Sequence, residues 1–161
     1  MAPINKKGEI NMKLYVAYGS NLNLEQMAYR CPDARIIGKG MIYDYALKYR
    51  GSKTGAYLTI ISEKGKKVSV LVWSISEKDE KSLDRYEGFP TFYYKKRMRV
   101  HLENGKTIYA MSYVMFDEAL PGIPSEYYIQ TCLRGYVENH LDVNIFYESL
   151  EDNLEEVCEC D

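Results

Sequence analysis

The feature that most restricts this chain is the order of its hydrophobic periods. Between Met41 and Phe116 the sequence reads as a series of two-residue alternations broken by one short helical stretch, and helical spacing returns only after Pro124. No β-α-β alternation runs through it, which disfavours a doubly wound parallel sheet and points to an α+β fold with a curled, mostly antiparallel sheet of about six strands.

Local signals place the elements. Leu14 to Tyr18 is rich in aromatic and β-branched residues and predicts a first strand. Asn23 with Gln26 three residues on predicts a helix start, and Pro32 ends that helix. In Met41 to Arg50, Tyr43, Tyr45, Leu47 and Tyr49 fall on one face of a strand. Tyr57 to Ser62 is expected to pair with Val68 to Ile75 across a Lys64-Gly65 turn. Ser76 and Asp79 form a capping-box start, with Leu83 and Tyr86 at helical spacing before Gly88 and Pro90. Asn104-Gly105 between two alternating runs predicts a hairpin with a type I′ turn. Ser125 caps a helix to about Asn139, and Val143 to Leu150 predicts a further short one. Residues 1–12 read as a flexible leader, 13–150 as one domain and 151–161 as an acidic tail prone to fraying.

Composition enters mainly through what it excludes. With 21 Lys plus Arg against 23 Asp plus Glu in 161 residues, the net charge of −2 gives no electrostatic basis for a nucleic-acid or anionic-membrane partner. The basic run Lys95 to Arg99 alternates faces on a strand and reads as a solvated edge. No apolar run approaches the roughly 20 residues that span a bilayer, and the first dozen residues lack the apolar centre of a secretory signal, so a cytoplasmic protein is expected. Cys31, Cys132, Cys158 and Cys160 fit no zinc spacing, with His101 and His140 the only histidines, and neither a metal nor another cofactor is expected. Sixteen tyrosines are the anomaly, since each brings apolar area with a polar tip, suited to amphipathic strands or to a polar-lined pocket.

Two short stretches could carry chemistry. In Tyr18-Gly19-Ser20-Asn21 a strand breaks at glycine just before a helix, where free amides attract anions, although Ser and Asn in such a turn also serve purely local bonding. Glu87 falls at the C-terminal end of a helix, where the macrodipole disfavours a carboxylate and raises its pKa, as a proton-transfer group requires; a solvated surface Glu is the alternative.

Tyr18-Gly19-Ser20-Asn21-Leu22, Val72-Trp73, Leu83-Asp84-x-x-Glu87-Gly88, Ser112-Tyr113-x-Met115 and Pro124-Ser125-x-x-Tyr128, in that order, resemble the gamma-glutamylcyclotransferase family over Leu14 to about Leu150. The Tyr-Gly-Ser-Asn form is more similar to the broad group than to its glutathione-directed branch. The resemblance implies a small mixed β-barrel with flanking helices that acts on a γ-glutamyl amide without metal. The substrate's own α-amine attacks its side-chain carbonyl and releases 5-oxoproline and an amine. By the same resemblance Glu87 is the catalytic acid/base, Tyr18, Gly19, Ser20, Asn21 and Leu22 form the substrate loop, and Tyr128 and Tyr94 are pocket aromatics. The partner implied is this small molecule, and the protein a monomer or homodimer. Val70 stands where the family often has glycine, which is expected to narrow the pocket, and His140-Leu141-Asp142 replaces a frequent Gly-Leu-Pro. The rival readings are a non-catalytic module that binds a γ-glutamyl-like metabolite and an amide hydrolase with water as nucleophile.

Overall fold

A computed structural model describes residues 11–52 and 55–160, so the expected leader lies, but for Asn11 and Met12, outside the described residues. Five strands close into a barrel: β1 (Met12–Ala17), β2 (Arg35–Arg50), β3 (Tyr57–Ser76), β4 (Tyr93–Leu102) and β5 (Thr107–Met115). Their order is β1-β3-β2-β4-β5, antiparallel except where β5 meets β1 in a parallel pairing at Tyr15 and Met111. Four helices flank it: α1 (Leu24–Arg30), α2 (Glu77–Glu87), α3 (Glu126–Glu138) and α4 (Val143–Cys160). The fold class is the one expected, with one strand fewer.

The missing strand is explained at Lys64-Gly65. Both Tyr57–Ser62 and Val68–Ile75 pair antiparallel with β2, so they run in one direction as a single strand rather than as a hairpin. Residues 63–66 bulge where Tyr43 faces Lys67 and Tyr45 faces Ser62. Asp44 opposite them takes a left-handed φ of 62° and its Oδ1 accepts from the Gly65 amide at 3.0 Å. The bulge also divides the expected tyrosine face: Tyr43 is exposed and Tyr45 half-buried, whereas Leu47 and Tyr49 are buried.

The β4–β5 turn differs as well. The Gly105 amide bonds Leu102 O at 3.0 Å, so Glu103 and Asn104 are the central residues, and neither has the positive φ that a type I′ turn demands; Gly105 alone does, at 87°. At the end of α3, His140 takes the left-handed position (φ 55°) that a glycine usually fills, its amide bonding Val137 O while that of Leu141 bonds Tyr136 O.

Past Leu150, residues 151–160 continue α4, and Asn153 and Val157 are buried against the barrel. Tyr49 shares a 2.9 Å hydrogen bond with Ser149, Asn153 donates to Gly122 O at 3.0 Å, and Glu156 accepts from Arg50 at 2.6 Å. Glu151, Asp152, Glu155 and Glu159 are exposed on the outer face of this amphipathic helix, while Glu156 turns inward to Arg50. Among the described residues no helix is long and apolar enough to cross a membrane.

Candidate active site

The strand-to-helix break after β1 is fixed from two sides. From behind, α3 packs on it through Gly135, where a Cβ would stand 2.6 Å from the Leu22 carbonyl carbon. Asn139 Nδ2 donates to Leu22 O at 2.7 Å and Asn23 Nδ2 to Thr131 O at 3.2 Å, while Asn23 Oδ1 caps α1 by accepting from the Gln26 amide at 3.0 Å. Ser20–Leu22 therefore makes a single 3₁₀ turn whose first amides, at Ser20 and Asn21, have no acceptor within it. From the front comes the last turn of α2. Ser76 and Asp79 form the expected capping box at its start, and Gly88, left-handed at φ 67°, ends it directly after Glu87.

Between these elements opens a cavity of about 350 Å³. Tyr15, Tyr18, Asn21 and Tyr113, all buried, line its inner part together with Glu87, while Tyr57, Tyr86 and Phe92 stand exposed at its mouth. Asn21 organises the inner end. Its Nδ2 donates to Tyr15 Oη at 2.8 Å and to Glu87 Oε1 at 3.2 Å, and its Oδ1 accepts from Arg30 Nη1 at 2.6 Å. Arg30 is itself held by the Gln26 side chain and by the Tyr86 ring, whose centre lies 3.4 Å from the guanidinium carbon.

Burial is the main force on Glu87, pushing its carboxyl up from 4.5 to about 7. The Arg30 charge and the Asn21 hydrogen bond favour the carboxylate but offset only part of that desolvation. The direction is the expected one, but burial is its cause. Near neutrality such a group can take up or release a proton. Burial also raises the phenols of Tyr15 and Tyr18, and the neighbouring Glu87 adds to the effect, so both stay neutral near pH 7.

Of the residues that the sequence points to, Tyr18, Gly19, Ser20, Asn21, Glu87 and Tyr128 meet around this cavity. Tyr128 Oη accepts from the Leu58 amide at 3.0 Å, and a Cβ on Gly19 would stand 3.2 Å from that oxygen. Space is thus tight at Gly19, and its φ of −127° is not left-handed. Leu22 and Tyr94 are not among the residues that line the cavity. Leu22 is fully buried under α3 and does not reach the cavity. Tyr94 packs on Phe116 with ring centres 4.8 Å apart, and its neighbour Tyr93, on the opposite face of β4, lines the cavity and donates to Leu58 O at 2.7 Å. Val70 is buried but not among the lining residues, so it does not narrow the cavity.

Arg30, Tyr15, Tyr57, Tyr86 and Phe92 belong to the site without any motif that marks them in the sequence, and Tyr113 stands in the Ser112-Tyr113-x-Met115 motif without a role assigned to it there. Only the excess of tyrosine in the composition hints at such a lining. Among the described residues no group of three or more His, Cys, Asp or Glu side chains is placed to hold a metal ion.

Comparison with known proteins adds independent findings. Residues 15–130 match the family described as "Gamma-glutamyl cyclotransferase, AIG2-like". The chain is 34% identical over 137 residues to the gamma-glutamylcyclotransferase of Homo sapiens, covering 80% of this chain and 72% of that protein. It is 33% identical to the Bos taurus protein of the same name over the same shares. A solved structure titled gamma-glutamyl cyclotransferase superposes with a TM-score of 0.77 at 30% identity, covering 88% of this chain and 87% of that one.

Proposed function

Since this chain belongs to the gamma-glutamyl cyclotransferase, AIG2-like family and is an enzyme of that type, we propose that it cyclises a γ-glutamyl amide to 5-oxoproline with Glu87 as general acid and base. The observation that carries this reading is the Glu87 carboxyl itself, set in the cavity 3.2 Å from Asn21 and poised near neutrality by burial.

The substrate's α-ammonium gives a proton to the Glu87 carboxylate. The freed amine then attacks the γ-carbonyl carbon of the same molecule, forming the ring C–N bond and an oxyanion. Glu87 returns the proton to the leaving nitrogen and the original amide bond breaks; it then takes the second proton from the ring nitrogen and passes it to the departing amine, so that 5-oxoproline and an ammonium ion leave. The proton count closes, and one residue serves every transfer. Because attack is intramolecular, the protein's work is to hold a bent substrate in a near-attack shape. The amides of Ser20 and Asn21 border the cavity and supply donors for an anionic group of the substrate. Arg30 acts through Asn21, fixing which end of the carboxamide faces Glu87. Its free thiols at Cys31 and Cys132 suit the reducing cytoplasm, where we place the protein.

The test is Glu87→Gln, which keeps shape and removes the proton acceptor. Turnover is expected to fall by about a hundredfold or more. Wild-type kcat/KM is expected to rise with pH as the carboxyl ionises around 7. Unchanged turnover in a folded Glu87→Gln protein removes Glu87 from the chemistry.

A further inference from the structure

The cavity is chemically divided, and its two ends fit the two halves of an amide. The inner end carries the polar groups already described. Its mouth is aromatic, with Tyr57 44% and Phe92 41% exposed, their rings meeting edge to face at 6.1 Å, and Tyr57 meeting Tyr128 at 5.1 Å. Exposed rings of that size are costly unless something covers them, and here they border the site rather than scatter over the surface.

Phe92 is held there by backbone built around it. Gly51 has a φ of 114°, and a Cβ at that position would stand 2.8 Å from Phe92 Cζ. Gly88 is likewise left-handed, its would-be Cβ 3.1 Å from Phe92 Cβ, and its carbonyl accepts from the Phe92 amide at 2.8 Å. The ring is thus seated between two glycines and braced by Tyr93, whose ring centre lies 5.2 Å away. A seated ring costs little conformational entropy when a ligand packs on it.

With the glutamyl half committed to Asn21 and Glu87, the leaving half must point outward. We propose that the Tyr57–Phe92 mouth is the subsite for that half, making this enzyme selective for γ-glutamyl amides whose amine carries a bulky apolar or aromatic group. The inference rests on the cyclotransferase reading and adds the substrate class to it.

The experiment measures 5-oxoproline release from γ-glutamyl-phenylalanine, γ-glutamyl-leucine, γ-glutamyl-glycine and γ-glutamyl-glutamate. Phenylalanine and leucine compounds are expected to exceed the glycine compound in kcat/KM by about tenfold or more, the scale of packing a few apolar groups into a half-open pocket. Phe92→Ala and Tyr57→Ala should each shrink that ratio severalfold, whereas Tyr57→Phe should keep it; reading a ratio within each variant removes any general loss of folded enzyme. Equal kcat/KM across the series, or a preference for glycine or glutamate, overturns the subsite and leaves the cyclotransferase reading intact. Release of 5-oxoproline from none of the four overturns both.

Discussion

Replacing Glu87 with glutamine should stabilise the protein in a pH-dependent way. A carboxyl raised from 4.5 to about 7 has its charged form disfavoured in the native state by about 3 kcal/mol. The sign follows from proton counts. Below about pH 4.5 Glu87 is neutral in both native and unfolded chains and contributes nothing. Between 4.5 and 7 the unfolded chain loses the proton first, so the native state binds more protons and stability falls as pH rises. Above 7 both states are ionised and the full cost of about 3 kcal/mol remains. Glutamine is nearly isosteric, cannot ionise, and still offers an oxygen to Asn21 Nδ2. Urea unfolding of wild type and Glu87→Gln at intervals from pH 4 to 8 isolates the effect, because all other titrations cancel in the difference. The variant should gain up to about 3 kcal/mol on wild type between pH 4 and pH 8. A difference that does not change with pH would refute the desolvation argument. A variant that loses ground as pH rises would mean that Arg30 and Asn21 outweigh burial.

The remaining predictions concern the rest of the site. Asn21→Ala removes the donor to Glu87 and leaves Arg30 Nη1 without its acceptor, and should lower kcat/KM about tenfold or more, since removing a hydrogen-bonding group from a desolvated site costs about 1 to 3 kcal/mol. Tyr128→Phe leaves the buried Leu58 amide unbonded and should reduce both activity and stability on that same scale, whereas wild-type values in both variants would make the loop only structural. Mild thiol-blocking reagents should leave activity unchanged, because Cys31 and Cys132 are buried and burial pushes both thiols up to about 12, far from the reactive thiolate. EDTA should be equally without effect, and loss of activity that zinc restores would contradict the carboxylate mechanism.

The sequence is most informative where local chemistry and tertiary structure agree. Ser76, Asn23 and Ser125 are readable as caps because each satisfies amides within its own helix turn. The Lys64-Gly65 bulge is not, because a glycine in a polar run signals a turn equally well, and only the long partner strand β2 shows that the chain continues straight. Tyr93 is hard to tell from Tyr94 for a related reason. Two adjacent tyrosines carry no alternation, and Lys95-Lys96-Arg97 after them carry none either, so nothing local marks Tyr93 rather than Tyr94 as the inward residue. Arg30 lies beyond the reach of sequence altogether. It is an ordinary last-turn arginine there, and its role comes from α2 bringing Tyr86 and Glu87 against α1.

The most direct test of the central claim is product analysis by mass spectrometry on a γ-glutamyl amide and on the same compound with its α-amine acetylated. If the substrate's own amine is the nucleophile, the first must yield 5-oxoproline and the second nothing, because an acetylated nitrogen has no available lone pair. Water as nucleophile would give glutamate from the first and could still cleave the second. The account predicts 5-oxoproline from the free amine and complete inertness of the acetylated compound; glutamate as the enzymatic product, or turnover of the acetylated compound, would contradict it.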